Sequence, residues 1–325
     1  MPHLTFATLL LAAALIPTNV RADERPACAA HLPANASKNS IRIACEIPEK
    51  HQYDVAMAEI YGTALRRHDI AAWLTTDELV KIKAFENVPG RGVGWVTAEN
   101  DDSIRVWYLH QADDRYGIAG EATLRYEPWG VVDARGMAEI PEKERVPTPA
   151  MLRMLRARAL ATRQDLINCN PDRPFNTVVL PVSEDGRDFM LTFLISAWDD
   201  KTVPLGGFHM LRIGDDGSDV ITTYSQTSGC GNLTPEQLEA KKALAVAHDS
   251  SAAPTSFHVF LSLQYRKPLY VKTTQNGLIW KVSGATVSLA AADDATLRDL
   301  GDAFLLPDRS SAEAEHDLPP STKAL

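Results

Sequence analysis

The first part of the chain moves from helical to strand periodicity. Apolar residues recur at helical spacing over Glu49–Arg67, which predicts an amphipathic helix. A second helix is expected to begin at Thr75, because Thr75 and Glu78 have the spacing of a capping box. Beyond these helices the pattern becomes β-like, and short polar turns separate the strands, which predicts an antiparallel meander. The three predicted strands are Gly94–Ala98, Ser103–Gln111 and Tyr116–Tyr126.

The second part of the chain is predicted to be rich in strands. Glu127–Val146 combines Pro, Gly and charge with little periodicity, so we expect a linker there. Thr148 as N-cap and Pro149 at the first helical position predict a helix, and another helix is expected from Thr234 to about His248. The predicted strands are Asn176–Val182, Phe189–Trp198, Gly207–Gly214, Asp219–Gln226, Ser256–Leu263, Leu269–Thr274, Leu278–Val282 and Thr286–Ala290.

This order of elements predicts an α+β fold, built mainly of antiparallel β-sheet with flanking helices. Whether the chain forms one unit or two subdomains stays open at this point. Runs of strands with interspersed helices, and no regular βαβ alternation, are typical of that class. We expect residues 23–147 to hold a helix pair plus the β-meander and residues 148–305 to form a sheet-rich C-terminal part. Residues 306–325 are polar and are expected to be a disordered tail.

The N-terminal residues resemble a secretory signal peptide. Leu4–Pro17 is apolar but too short to span a bilayer, and Val20 and Ala22 occupy the −3 and −1 places of a cleavage site. We therefore assign residues 1–22 to a signal peptide and expect a periplasmic or secreted protein. Since no second long apolar run follows, we expect no membrane insertion.

Composition narrows the possible functions further. Hydrophobic residues make up 45% of the 325 residues, which is too many for a disordered chain. The formal net charge of −9 argues against nucleic acid, whose phosphates favour a basic surface. Neither a P-loop nor a dinucleotide-binding glycine motif in its proper context is present, so we expect no cofactor.

Four cysteines, Cys28, Cys45, Cys169 and Cys230, remain after the expected cleavage. An even number in an oxidising compartment favours disulfide bonds, and no CxxC motif points to zinc or redox chemistry. The sequence permits three pairings. Proximity along the chain suggests Cys28–Cys45 and Cys169–Cys230.

The same region also contains a pattern with catalytic potential. Gly206-Gly207-Phe208-His209 precedes Thr227-Ser228-Gly229-Cys230-Gly231-Asn232, with seventeen residues between His209 and Thr227. This spacing resembles the signature of L,D-transpeptidases, which use a cysteine as nucleophile on peptidoglycan stem peptides. The resemblance implies Cys230 as nucleophile and His209 as the group that lowers its pKa. It covers about 24 residues and departs from the family at Ser228, where the family has His, and at Met210, where it has Gly.

A metal site could in principle combine Asp199, Asp200, His209 and His258, but no spacing motif joins them, and we expect none. Two classes of function therefore remain. The first, which we favour, is a non-catalytic envelope protein that binds an unidentified ligand or protein partner. The alternative is a cysteine-dependent acyl-transfer enzyme with Cys230 as nucleophile.

Overall fold

The computed structural model describes residues 26–33, 35–126, 129–184, 186–226, 229–300 and 304. The predicted signal peptide, residues 1–22, and the predicted tail, residues 306–325, lie outside this part of the chain. Within it the fold is α+β, as the order of elements predicts. The helices are α1 (Lys38–Glu46), α2 (Glu49–Lys81), α3 (Pro149–Ala161), α4 (Pro235–Ala240), α5 (Ser256–Tyr265) and α6 (Ala295–Leu300).

The described strands form three four-stranded sheets and one short ladder. The meander sheet has the order β1-β2-β3-β4, with β1 (Arg91–Asn100), β2 (Ser103–Ala112), β3 (Arg115–Tyr126) and β4 (Trp129–Gly136). The central sheet has the order β5-β6-β8-β9, with β5 (Asn176–Glu184), β6 (Arg187–Ile195), β8 (Phe208–Gly214) and β9 (Val220–Ser225). The C-terminal sheet has the order β11-β12-β13-β14, with β11 (Leu244–His248), β12 (Leu269–Thr273), β13 (Ile279–Ser283) and β14 (Thr286–Leu289). The short ladder joins β7 (Val203–Pro204) to β10 (Asn232–Leu233).

Antiparallel pairing dominates these sheets. Every described pair of strands is antiparallel except β11 and β12, which run parallel and are connected through α5. The sequence pattern does not suggest this parallel βαβ connection. The turn at Asn276-Gly277, by contrast, lies between β12 and β13, and Gly277 adopts the positive φ of 71° that such a turn favours.

The helix α2 connects the two main cores. Its N-terminal half buries Val55 and Leu65 in a core that includes Phe193 of the central sheet. Its C-terminal half buries Leu79 against the meander sheet. The helix α3 fills the space between these sheets, where Ala157 lies in a cluster with residues from both. Faces of the central sheet are therefore covered by α3 on one side and by α2 and α5 on the other.

The predicted break between two N-terminal helices is wrong. Residues 49–81 form one continuous helix, and the other member of the helix pair is α1, which the periodicity does not reveal. Thr75 is fully buried inside the C-terminal half of α2, and its hydroxyl donates to the carbonyl of Ala71 at 2.6 Å. That bond lies within the helix, so Thr75 cannot cap a new one.

Three other predictions along the chain are also wrong. The expected linker Glu127–Val146 contains the edge strand β4, whose glycines and left-handed Asp133 obscure its alternation. The helix from Thr234 ends at Ala240, and the following buried strand is β11. Ser256–Leu263, predicted as a strand, lies in α5. The helical turns of α5 are buried almost all round, so polar and apolar residues do not mark different faces.

Candidate functional site

Cys230 and His209, the candidate catalytic pair, have structural partners. Cys230 is bonded to Cys169, and Cys28 to Cys45, so no free cysteine remains among the described residues. These are the two pairings suggested by proximity along the chain. A thiolate is the reactive form of cysteine, so acyl transfer by Cys230 would first require reduction of its bond to Cys169.

The imidazole of His209 lies in the interior and joins three segments. Its Nε2 donates to the carbonyl of Ile167 at 2.8 Å, and its Nδ1 lies 3.0 Å from the hydroxyl of Ser225. The ring is 1% exposed and packs edge-on against Phe175. Burial lowers the pKa of His209, so the neutral ring is favoured, with one nitrogen as donor and the other as acceptor. These contacts fit a structural histidine that fastens β8 to β9.

Three of the four residues considered for a metal site, Asp199, His209 and His258, bind protein groups, and Asp200 is exposed. Asp199 accepts hydrogen bonds from Asn170 and from the backbone N–H groups of Lys201 and Thr202, which lower the pKa of its carboxyl and form a turn. His258 lies on α5, where its Nδ1 accepts from the backbone N–H of Thr255 at 2.9 Å and caps the helix. Across the described ranges, no three His, Cys, Asp or Glu side chains are grouped as metal ligands would be.

An exposed region does collect aromatic and charged side chains from α2 and the central sheet. We call it the tyrosine face, and its members are Tyr53, Tyr61, Glu184, Arg212 and Tyr224. Successive side chains of a strand alternate, so Phe208, Met210 and Arg212 of β8 share one side of the sheet. Phe208 is buried and stacks on an aromatic ring of α5, whereas Arg212 lies at the uncovered end. The register places Thr222 opposite Arg212 and Tyr224 opposite Met210.

Arg212 lies between the ring of Phe189 and the carboxylate of Glu184 on the tyrosine face. Its guanidinium carbon lies 3.7 Å from the centroid of the buried Phe189 ring, which is a close cation–π contact. Its Nη1 lies 3.5 Å from a carboxylate oxygen of Glu184. Its Nε is buried and has no acceptor among the described residues. The ring and the carboxylate fix the orientation of the guanidinium, which leaves its remaining donors for an incoming group.

The tyrosines of α2 border this ion pair. Tyr61 packs against the ring of Phe193 at 6.3 Å, and the pKa of its phenol is raised by burial and by the nearby charges of Glu184 and Tyr53. Arg212 acts on the same phenol in the opposite direction. The phenol of Tyr61 therefore lies within range of the charges of both Glu184 and Arg212. Tyr53 lies earlier in the same helix, and it is 66% exposed.

The exposure of these rings suggests what they can bind. Tyr224 is 51% exposed, and the side chains of Glu184 and Arg212 are 46% and 26% exposed. Apolar ring faces therefore lie beside a polar pair that carries both donors and acceptors. Such a surface can pack against a flat C–H face while bonding the polar groups around it.

Sequence reasoning did not find the tyrosine face. The helical pattern over Glu49–Arg67 predicts an apolar stripe that includes both Tyr53 and Leu65. Leu65 is buried in the core together with Val55, which lies outside the stripe, whereas Tyr53 is exposed. An available signal is that the helix carries apolar residues on more than one side, which exceeds what a single core contact needs. Tyr108 of the meander sheet, by contrast, is buried and donates to the carbonyl of Ala72.

A second polar region lies in the middle of α2. His68 is buried, its Nδ1 lies 2.6 Å from the hydroxyl of Thr97, and its Nε2 lies 3.4 Å from Glu99. Glu99 also accepts from Arg67 at 2.9 Å and from Tyr126 at 2.5 Å. Burial opposes ionisation of Glu99, but the hydrogen bonds from His68 and Tyr126 hold its pKa at about 2. These bonds join α2 to the meander sheet. The hydroxyl of Thr97 is buried as well, so the cluster does not present it as a nucleophile.

Asp69 is the unusual carboxyl of this region. It is 5% exposed, and no described donor forms a hydrogen bond to it. Burial raises the pKa of Asp69 to about 7, although the charge of Arg66 acts in the opposite direction. Its negative form in turn contributes to the raised pKa of Tyr265 at the end of α5. Asp69 is therefore the carboxyl in this region whose charge is most costly to the fold.

Comparison with protein-family models, with curated proteins and with solved structures finds no match to this chain. In the described part of the chain, no helix is both long enough and apolar enough to cross a membrane.

Proposed function

We propose that this protein is a non-catalytic binding protein of the periplasm or extracellular space, and that its tyrosine face binds a saccharide chain. The single observation that carries the proposal is the fixed Arg212–Glu184 pair between exposed tyrosine rings. The predicted signal peptide and the two disulfide bonds support an oxidising compartment.

A saccharide fits this combination of groups better than a purely apolar ligand does. The C–H faces of a pyranose ring can pack on exposed tyrosine rings, while its hydroxyls accept from the guanidinium of Arg212 and donate to the carboxylate of Glu184. An apolar ligand would cover both charged groups without replacing their bonds to water, at a cost in free energy. Tyr53 and Tyr224 lie on separate elements, so an extended chain can reach both.

Binding to a panel of soluble oligosaccharides tests the proposal. We suggest N-acetylglucosamine, cello-, malto- and xylo-oligomers, measured by isothermal titration calorimetry with the full mature chain. We expect at least one series to bind. We also expect Y53A and Y224A each to weaken that binding by about two- to tenfold, which is the effect of losing one aromatic contact.

Tyr116 provides a matched control, because it is an exposed tyrosine of the meander sheet outside the tyrosine face. The variant Y116A should bind as the wild type does. Absence of binding across the panel would overturn the proposal, and so would binding that is unchanged in both Y53A and Y224A.

A further inference from the structure

The central sheet ends at a strand edge that lacks the usual protection. Strand β9, Val220–Ser225, contains no charged residue and no proline, and four of its six residues are exposed. Exposed edges offer unpaired N–H and C=O groups to any extended chain, so proteins usually block them with charge, proline, bulges or a covering side chain. Its one irregularity is a register shift near Ile221, at the start of the strand.

Other edges of the large sheets have such devices. At β1, Gly94 lies at a bulge, and Arg158 donates to the carbonyl of Trp95 at 3.0 Å. At β14, the backbone of Val287 donates to Glu59 and accepts from a guanidinium of α1. Side chains thus take the place of a neighbouring strand at both edges.

The remaining edges are protected in different ways. Strand β5 has the exposed Pro181 in its middle, where a donor would otherwise lie. Strand β4 carries the charged Asp133 in a left-handed conformation at an irregularity. Strand β11 is buried along its whole length. The edge of β9 has no such proline, charge or bonded side chain along its centre.

The pairing between β8 and β9 identifies which backbone groups point outward. The N–H of Gln226 donates to the carbonyl of Phe208, so these two residues form a bonding pair. Bonding pairs recur at every second residue, which directs the backbone of Tyr224 and Thr222 toward β8. The backbone groups of Thr223 and Ser225 therefore face away from the sheet, and no described residue bonds to them.

We propose that β9 pairs with β9 of a second copy of this chain, antiparallel and with the two-fold axis at Thr223. A two-fold axis perpendicular to a sheet must pass between identical residues, and Thr223 is the central residue whose backbone faces outward. Its N–H and C=O then bond to those of its own copy. The two central sheets become one continuous sheet of eight strands.

The side chains of β9 suit this register. Thr222 and Tyr224 share the side of the sheet that carries the tyrosine face, and in the dimer each Tyr224 lies opposite Thr222 of the other copy. Aromatic and β-branched residues form favourable cross-strand pairs. Charge does not oppose the contact locally, although each chain carries a net charge of −9. Added salt screens that long-range repulsion and should strengthen the dimer.

Sedimentation velocity over a concentration series tests the pairing directly. We expect the wild-type mature chain to pass from monomer to dimer between about 1 and 200 µM, in the range of weak interfaces. T223P removes the outward N–H, and T223K places two like charges face to face, so each should shift the chain to monomer. T223V keeps the backbone donor and the β-branched shape, and it should dimerise like the wild type.

The variant T223C tests the register. Residues in a bonding pair have Cα atoms about 5.5 Å apart, within reach of a disulfide bond, so mild oxidation should link two copies of T223C. S218C, in an exposed turn before β9, should remain unlinked. A chain that stays monomeric at all concentrations would overturn self-pairing and leave the edge to an extended segment of another protein. A dimer that persists in both T223P and T223K would overturn it too. The proposal does not depend on saccharide binding.

Discussion

The buried carboxyl of Asp69 makes the stability of the protein depend on pH in an unusual direction. Its pKa is raised to about 7 in the fold from an ordinary value of 3.8, because burial disfavours the charged form. An unfolded chain releases this proton near pH 4, whereas the folded chain keeps it until near pH 7. The stabilising contribution of the proton is therefore complete below about pH 4 and is lost as pH rises through 7.

The substitution D69N isolates this effect, since the amide has nearly the same shape and no charge. A difference of about three pKa units corresponds to about 4 kcal/mol, at 1.36 kcal/mol per unit. We expect the free energy of unfolding of D69N, relative to that of the wild type, to rise steadily between pH 4 and 7. Above pH 7 the relative difference should stay constant.

Urea unfolding followed by tryptophan fluorescence, with both disulfide bonds intact, measures this free energy at each pH. D200N is the control, because Asp200 is an exposed carboxyl in a turn and the same amide is introduced there. The reasoning would be refuted if the D69N difference were flat from pH 4 to 8. It would also be refuted if the wild type gained stability over D69N as pH rose.

Three further variants test the packing and the covalent links. A Cβ at Gly62 would lie 2.5 Å from atoms of α5, so G62A should lower the free energy of unfolding by about 1–3 kcal/mol, measured in urea. Replacing Cys169 and Cys230 by alanine opens a loop of 61 residues, whereas replacing Cys28 and Cys45 opens one of 17. The first pair should cost about 1 kcal/mol more by chain entropy, and equal or reversed costs would contradict that account.

Sequence signals that involve only neighbouring residues predict a helix start and several strands correctly. Thr148 caps α3 and accepts from the backbone N–H of Met151, as the Thr-Pro pattern predicts. The strands of the central sheet were found because their apolar runs end at turn residues. These features depend on neighbours within a few positions, so they can be read directly from the chain.

The missed elements depend on partners that are distant in sequence. The helix α5 alternates polar and apolar residues like a strand. Its Ser262, however, is buried and donates to the carbonyl of Lys267, so a polar residue there does not indicate a solvent-exposed face. The continuity of α2 depends in the same way on tertiary contacts, since His68 and Asp69 look like solvent-facing residues until the meander sheet and α5 cover them. The hydrophobic periodicity of a sequence cannot by itself distinguish a buried polar residue from an exposed one.

The candidate site shows the same limit. Tyr53 and Tyr224 are 171 positions apart, and neither has a motif around it. The strand register places Tyr224 beside Arg212, and Tyr61 of α2 lies within range of the charges of Tyr53 and Arg212. By contrast, the resemblance around Cys230 is a local motif, and the structure gives its cysteine a disulfide partner.

The central claim is that a saccharide lies on the tyrosine face. The most direct test is NMR of a chain that begins at residue 23, with labelled tyrosine rings, titrated with the oligosaccharide that binds best in the panel. We predict intermolecular contacts between saccharide C–H groups and the rings of Tyr53 and Tyr224, with none to Tyr116. Contacts confined to other rings, or no contacts at saturating saccharide, would contradict the account.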